Sequence, residues 1–254
     1  MQDEKRVGRT AGILARTDGA TIVYDKLPGD QPGVVFLHGL NSDRAGTKAL
    51  SLRSHCAETG RAFISFDMYG HGDSSGSFAK GSISRWTEDA VAVCDELTNG
   101  PQVLVGSSMG AWVMMQTAIA RPNRIHALIG VAPAPDFTED LLWNIFSTKQ
   151  KTEILKNGII RLPSEHDEEP YEISLHLVED GRRNLLLRER VPIKCPVRLI
   201  HGQNDADVPW STSIALADTI ESDDVQVILV KDGDHRLSRP EDIDRLLGVL
   251  EQVC

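Results

Sequence analysis

The chain has 254 residues, enough to bury a large core as one α/β domain with an insertion; the length does not require two domains. Its apolar fraction of 41% and charged fraction of 25% are those of an ordinary globular protein. The formal net charge of -10 argues against nucleic acid and anionic membranes as default partners.

The four cysteines, Cys56, Cys94, Cys195 and Cys254, are scattered without a Cys-x-x-Cys pair, so they indicate neither a zinc site nor a disulfide framework. The charged start, Met1 to Arg6, lacks an apolar leader core, and no run reaches the length of a membrane span. The expectation from these features is a cytoplasmic protein without stable membrane insertion.

Thr10–Arg16 and Ala20–Leu27 read as strands around Asp18-Gly19, a hairpin signal. A turn is expected at Pro28–Gly33, then a buried strand at Val34–Leu37 that ends in His38-Gly39-Leu40-Asn41. His38 reads as a residue that shapes this loop, and Asn41 or Ser42 as a cap for the next helix, Thr47–Thr59, which Gly60 ends. Ala62–Phe66 is the next strand. The Gly-rich loop Asp67–Gly76 after it lacks both the Lys-Ser/Thr of a P-loop and the immediate helix of a dinucleotide fingerprint, so Asp67 and His71 read as loop-ordering residues. Ile83–Leu97 has helical periodicity, with Ser84 read as its cap.

The run Val103 to Trp112 carries the chemistry. An apolar strand ends in Gly106-Ser107-Ser108-Met109-Gly110, and a helical pattern follows to Ala120. Gly-x-Ser-x-Gly between strand and helix is a nucleophile elbow: Ser108 stands at the tip of a strained turn, and the flanking glycines allow strand and helix to close on each other. Two later stretches complete a set. His201-Gly202-Gln203-Asn204-Asp205 follows one apolar strand, and Asp232-Gly233-Asp234-His235 follows another. The expected triad is Ser108, Asp205 and His235, with Asp207 as a competing acid that reads better as a helix cap. The backbone N–H groups of Leu40 and Met109 are the candidate oxyanion donors.

Ile125–Ala132 is another short strand. From Pro135 to Pro192 the strand–helix rhythm breaks. The expected division is a core of 1–134 and 193–254 with a lid at 135–192. Within the lid, Trp143 and Phe146 are candidates for an acyl-chain wall, Tyr171–Val178 alternates like a strand, Glu179–Leu187 reads as a short helix, and Glu165–Glu169 with His166 reads as a solvated loop. Beyond Val197–Ile200, a helix is expected from Val208-Pro209-Trp210 to Ile220, a last strand at Val225–Val230, and a final amphipathic helix from Pro240 to Val253.

The order Ser, Asp, His, together with Gly106–Trp112, Ile119–Pro122, Ala127–Ala132, Cys195–Gly202 and Asp234–Arg236, resembles the α/β-hydrolase superfamily along the whole chain. Within it, the chain is similar to the mitochondrial thioesterases that remove palmitoyl groups from proteins and also cleave acyl glucuronides. The resemblance implies a mostly parallel central sheet flanked by helices, with a small lid. It also implies hydrolysis of a small-molecule acyl ester or thioester, or of an S-acylated protein, without metal or organic cofactor. The same triad serves carbon–carbon bond hydrolases and perhydrolases, and the fold also hosts non-catalytic ligand-binding proteins. The His-Gly-Leu-Asn at 38–41 and the lid depart from the thioesterase pattern.

Overall fold

The computed structural model describes residues 10–162 and 171–254. Thr10–Ala15 (β1) and Thr21–Leu27 (β2) pair antiparallel across the Asp18-Gly19 turn. Asp30–Leu37 (β3) is longer than the apolar run: its first residues pair with the start of Arg61–Phe66 (β4) before a register shift between Asp30 and Val34. The expected turn at Pro28–Gly33 is thus mostly strand, because backbone pairing and not apolarity defines its start.

Gln102–Ser107 (β5), Ile125–Val131 (β6), Val197–Gly202 (β9) and Val225–Val230 (β10) complete an eight-stranded sheet in the order β1-β2-β4-β3-β5-β6-β9-β10. From β4 to β10 every neighbouring pair is parallel. Strands buried on both faces are apolar throughout, as Val34-Val35-Phe36-Leu37 and Val103-Leu104-Val105 are. Alternate residues feed opposite cores. Val34, Phe36, Val103 and Val105 pack with Thr47–Thr59 (α1) and Pro240–Val253 (α7). Val35, Leu37 and Leu104 pack on the other face with Ile83–Leu97 (α2) and Met109–Ala120 (α3).

The helix caps correct two expectations. The cap of α2 is Ser82, whose side chain accepts from the N–H of Arg85; Ser84 lies inside the first turn, where its hydroxyl takes a hydrogen bond from Asn184. Neither Asn41 nor Ser42 caps α1, which starts at Gly46 without a side-chain cap.

Residues 135–192 contain a π-helical turn Thr138–Trp143, the helix Thr148–Asn157 (α4), a two-stranded sheet of Ile159–Leu162 (β7) with Tyr171–Ser174 (β8), and Leu175–Gly181 (α5). The alternation read through Val178 stops at Ser174, because the Ser174 hydroxyl accepts from Leu177 N–H and starts the helix four residues earlier than expected. The Glu165–Glu169 stretch lies outside the described residues. Ser211–Thr219 (α6) begins after Pro209, and its N-cap is Trp210, so Asp207 does not cap it.

The base of this segment is tied down by one buried carboxylate. Asp136 accepts from the N–H groups of Leu186 and Leu187 at 2.8 and 2.9 Å, which fixes the returning chain against the end of β6. Asp180 accepts from the N–H of Ser84 at 2.8 Å and fixes α5 to the start of α2.

Candidate active site

The site lies where the parallel strands end. Ser108 joins β5 to α3 at φ 54°, ψ -120°, a conformation L-residues rarely adopt. The turn is over-determined by its surroundings. Ser108 N–H donates to Val131 O at 2.9 Å, and its carbonyl accepts from Ala111 and Ala134. A Cβ on Gly106 would stand 2.6 Å from Ala111 Cα, and one on Gly110 would collide with the carbonyl oxygens of Leu37 and His38. Both glycines are therefore demanded by close approach.

The three expected residues converge. His235 Nε2 is 3.0 Å from Ser108 Oγ, and His235 Nδ1 is 2.7 Å from Asp205 Oδ2. Asp205 is the partner, not Asp207: the latter donates its backbone N–H to Asp205 Oδ1 at 2.9 Å, as does Val208 at 2.8 Å. Asp234 is turned away and accepts from Leu237 N–H.

A residue to which the sequence analysis gave no role stands behind the acid. His201, fully buried at the end of β9, places Nε2 at 3.1 Å from the same Asp205 Oδ2 and at 3.1 Å from Val208 O. Both are acceptors, so Nε2 carries the proton, and Nδ1 accepts from Ser213 Oγ at 2.7 Å. Burial works against charge on Asp205. Its hydrogen bonds from His201 and His235 outweigh this and hold it well below the usual carboxylate range. The available signal was spacing: a histidine four residues before the acid.

His38 has the loop-shaping place expected of it. Met68 N–H donates to its Nε2 at 3.1 Å, so Nδ1 is the donor to Gly39 O at 2.8 Å. Burial pulls its pKa down to about 4, which keeps it neutral near neutral pH. This holds the loop that carries Leu40 beside the elbow. Among the described residues, no acceptor takes the backbone N–H of Leu40 or Met109, and both residues line the cavity at Ser108.

That cavity measures about 490 Å³ and is lined by apolar and polar side chains, the carboxylates of Asp43 and Asp207 among the latter. Phe137, Leu141, Leu142, Leu162 and Ile173, all from 135–192, are among the apolar ones. Asn41, Ser42, Lys48, Arg236 and Ser238 are among the polar ones. The expected wall residues Trp143 and Phe146 are not in it. Phe146 packs into the core at 6% exposure, and the ring of Trp143 is covered by the Arg182 guanidinium at 4.5 Å. Leu141 and Leu142, in the same π-helical turn as Trp143, line the cavity instead.

Asp205, Asp207 and His235 offer ligand atoms within 4.8 Å of one another, the one such cluster among the described residues. Both oxygens of Asp205 are already taken by N–H donors, so a cation there would have to break the Asp205–His235 hydrogen bond.

A strand–elbow–helix serine with acid and histidine beyond the last two strands, β9 and β10, defines a hydrolase of the α/β type. The family model described as serine aminopeptidase, S33, matches residues 30–174, and the chain belongs to this α/β-hydrolase family. It is 40% identical over 242 residues to palmitoyl-protein thioesterase ABHD10, mitochondrial, of Bos taurus, covering 95% of this chain and 79% of that one. Among solved structures it is similar to α/β hydrolase domain-containing protein 10 from mouse (37% identity, TM-score 0.89, 96% and 97% of the two chains). It is also similar to a hydrolase structure from Agrobacterium vitis S4 (36% identity, TM-score 0.92, 96% and 98%).

The cytoplasmic expectation is corrected by these thioesterase relatives, which are named mitochondrial in cattle, orangutan, human, rat and mouse. It rested on the lack of a leader pattern, and such a lack does not define a compartment. Among the described residues, no helix is long and apolar enough to cross a membrane.

Proposed function

We propose that the chain hydrolyses acyl thioesters and esters through a covalent acyl-serine at Ser108, with a fatty acyl chain as the acid portion. The observation that carries this is the hydrogen-bonded line Asp205–His235–Ser108, opening into a cavity lined by apolar and polar side chains. The S-acylated proteins named for the thioesterase relatives mark the thioester as the first class to test.

Ser108 Oγ attacks the acyl carbonyl while His235 Nε2 takes its proton. Asp205 keeps Nδ1–H of His235 pointed at itself and stabilises the imidazolium. The oxyanion is received by the N–H groups of Leu40 and Met109, whose orientation is fixed before substrate arrives by His38 and by the start of α3. His235 returns the proton to the departing thiol or alcohol. It then activates a water that releases the carboxylic acid and restores Ser108.

Residues 135–192 act as the lid over a core of 1–134 and 193–254. Phe137, Leu141 and Leu142 cover the acyl chain and keep water from it. The test is a panel of thioesters and aryl esters from short to long chains. A kcat/KM that rises with acyl length and is lost in Ser108→Ala supports the reading; turnover confined to short activated esters contradicts the fatty acyl assignment.

A further inference from the structure

The large sheet has two edges, and the β10 edge is left open. β10 reads Val-Gln-Val-Ile-Leu-Val, without the charge, proline or bulge by which monomeric proteins blunt an edge. Its strand neighbour is β9, on one side alone. The N–H groups of Val197 and Gln203 donate to Asp224 O and Val230 O, so the even-numbered residues of β10 turn their backbone groups toward β9. Those of Val225, Val227 and Leu229 point the other way. Among the described residues no backbone group pairs with them.

The side chains follow the same alternation. Val225 and Val227 pack with Leu216 of α6. Leu229 points to that face too and is exposed, as are Trp210 and Ile214, one turn apart at the start of α6. The opposite edge, β1, contains Gly12, which weakens a strand as a pairing surface.

Unpaired groups of this kind fit another strand, and charge selects which one. Asp223 and Lys231 bracket β10. Both are exposed, and neither forms an ion pair among the described residues. Their neighbours Asp224 and Asp232 are already held by Arg198 and Arg239. Across a twofold axis at Val227, Val225 of one copy lies opposite Leu229 of the other, and Val227 opposite Val227. Each of these is an outward-facing, hydrogen-bonding pair, and Asp223 of each copy then lies opposite Lys231 of the other. A parallel arrangement would set aspartate against aspartate and lysine against lysine.

We propose that the β10 edge is a docking surface for a second copy of this chain, joined β10 to β10 antiparallel with Val227 on the twofold axis. The contact uses the same patch on both molecules, so it closes as a dimer and does not grow. It runs one continuous sheet through both copies and covers Leu229. The inference stands apart from the acyl-serine chemistry.

Sedimentation velocity over a concentration series tests it, with circular dichroism as the control for folding. Wild type is expected to be a dimer that dissociates on dilution. Val227→Pro removes an N–H that the monomer leaves unbonded, a substitution that edge strands accept, and should leave a monomer. Lys231→Glu sets acidic residues against each other at both ends of the contact and should raise the dimer Kd by about tenfold. Combining Asp223→Lys with Lys231→Glu restores opposite charges and should return the Kd to the wild-type value. Should Val227→Pro fail to fold, the two exposed charge positions decide alone. A wild type that stays monomeric at the highest concentration, one that grows into larger polymers, or a dimer that survives a folded Val227→Pro overturns the proposal. So does a Kd indifferent to Lys231→Glu, because the antiparallel register requires that pair.

Discussion

Asp205 takes four hydrogen bonds, and each donor has a different consequence. The N–H groups of Asp207 and Val208 fix one oxygen; the other is shared by His235 and the buried His201. Asp205→Asn would put an amide where Nδ1–H of His235 must be accepted, and we expect kcat to fall by about 10³–10⁴-fold; Tm should fall as well, because the amide NH2 would face N–H donors whose hydrogen bonds the carboxylate now accepts. His201→Gln keeps the fold of the loop but replaces a rigid donor; kcat/KM should fall about tenfold, with the acid limb of the pH–rate profile displaced upward. A limb that stays put would show that His201 only fills space. The hydrogen-bonded line of Asp205, His235 and Ser108 was legible in the sequence because chemistry restricts residue type and chain order. His201 was not, because its contacts with Asp205, Val208 and Ser213 exist only through the fold.

At the scale of elements, the elbow is tightly constrained on both sides of Ser108. Gly110→Ala would drive a methyl group into the carbonyls that end β3, at a cost of about 1–3 kcal/mol, and should move Ser108 from His235. Urea unfolding and esterase rate, measured together, check this; a stable and fully active variant contradicts it. In the apolar lining, Leu141→Trp should shorten the acyl chain accepted, lowering the ratio of long-chain to short-chain kcat/KM by about tenfold or more. The core strands and most core helices were readable because continuous apolar runs and 3.6-residue periodicity signal them directly. Residues 135–192 were not. A π-helical turn has no distinctive pattern, and Ser174 ends a strand by capping a helix, which alternation alone does not reveal. Hence the bulky Trp143 and Phe146 draw the eye in the sequence, while Leu141 and Leu142 line the cavity.

For the whole molecule, the buried titratable groups set an acid limit. Burial draws His38 from 6.5 to about 4. Burial, and then His38 itself, draws His71 from 6.5 to about 3. In both, the unfolded state binds the proton first. Their stabilisation is full above about pH 6.5 and is lost as pH falls through the folded values, at up to about 1.4 kcal/mol per pH unit for each. Asp89 opposes them: burial raises it from 3.8 to about 6, so its contribution is favourable below 3.8 and is lost as pH rises through 6. Two histidines against one carboxylate leave a net loss on acidification. Tm should fall from about pH 7 to about pH 5, and His71→Gln should flatten that fall. A slope unaltered by the substitution would contradict the assignment. Sheet order belongs to this scale as well. Local patterns implied parallel strands, but β4 lying between β2 and β3 is a tertiary fact.

The central claim is that Ser108 carries the acyl group between two half-reactions. The most direct measurement is mass spectrometry of the protein quenched in acid during turnover of an octanoyl thioester, with Asp205→Asn used to slow deacylation. The expected result is one added octanoyl group, mapped to the peptide containing Ser108 and absent from Ser108→Ala. Sustained hydrolysis without any acylated peptide, or an adduct that persists in Ser108→Ala, would contradict it.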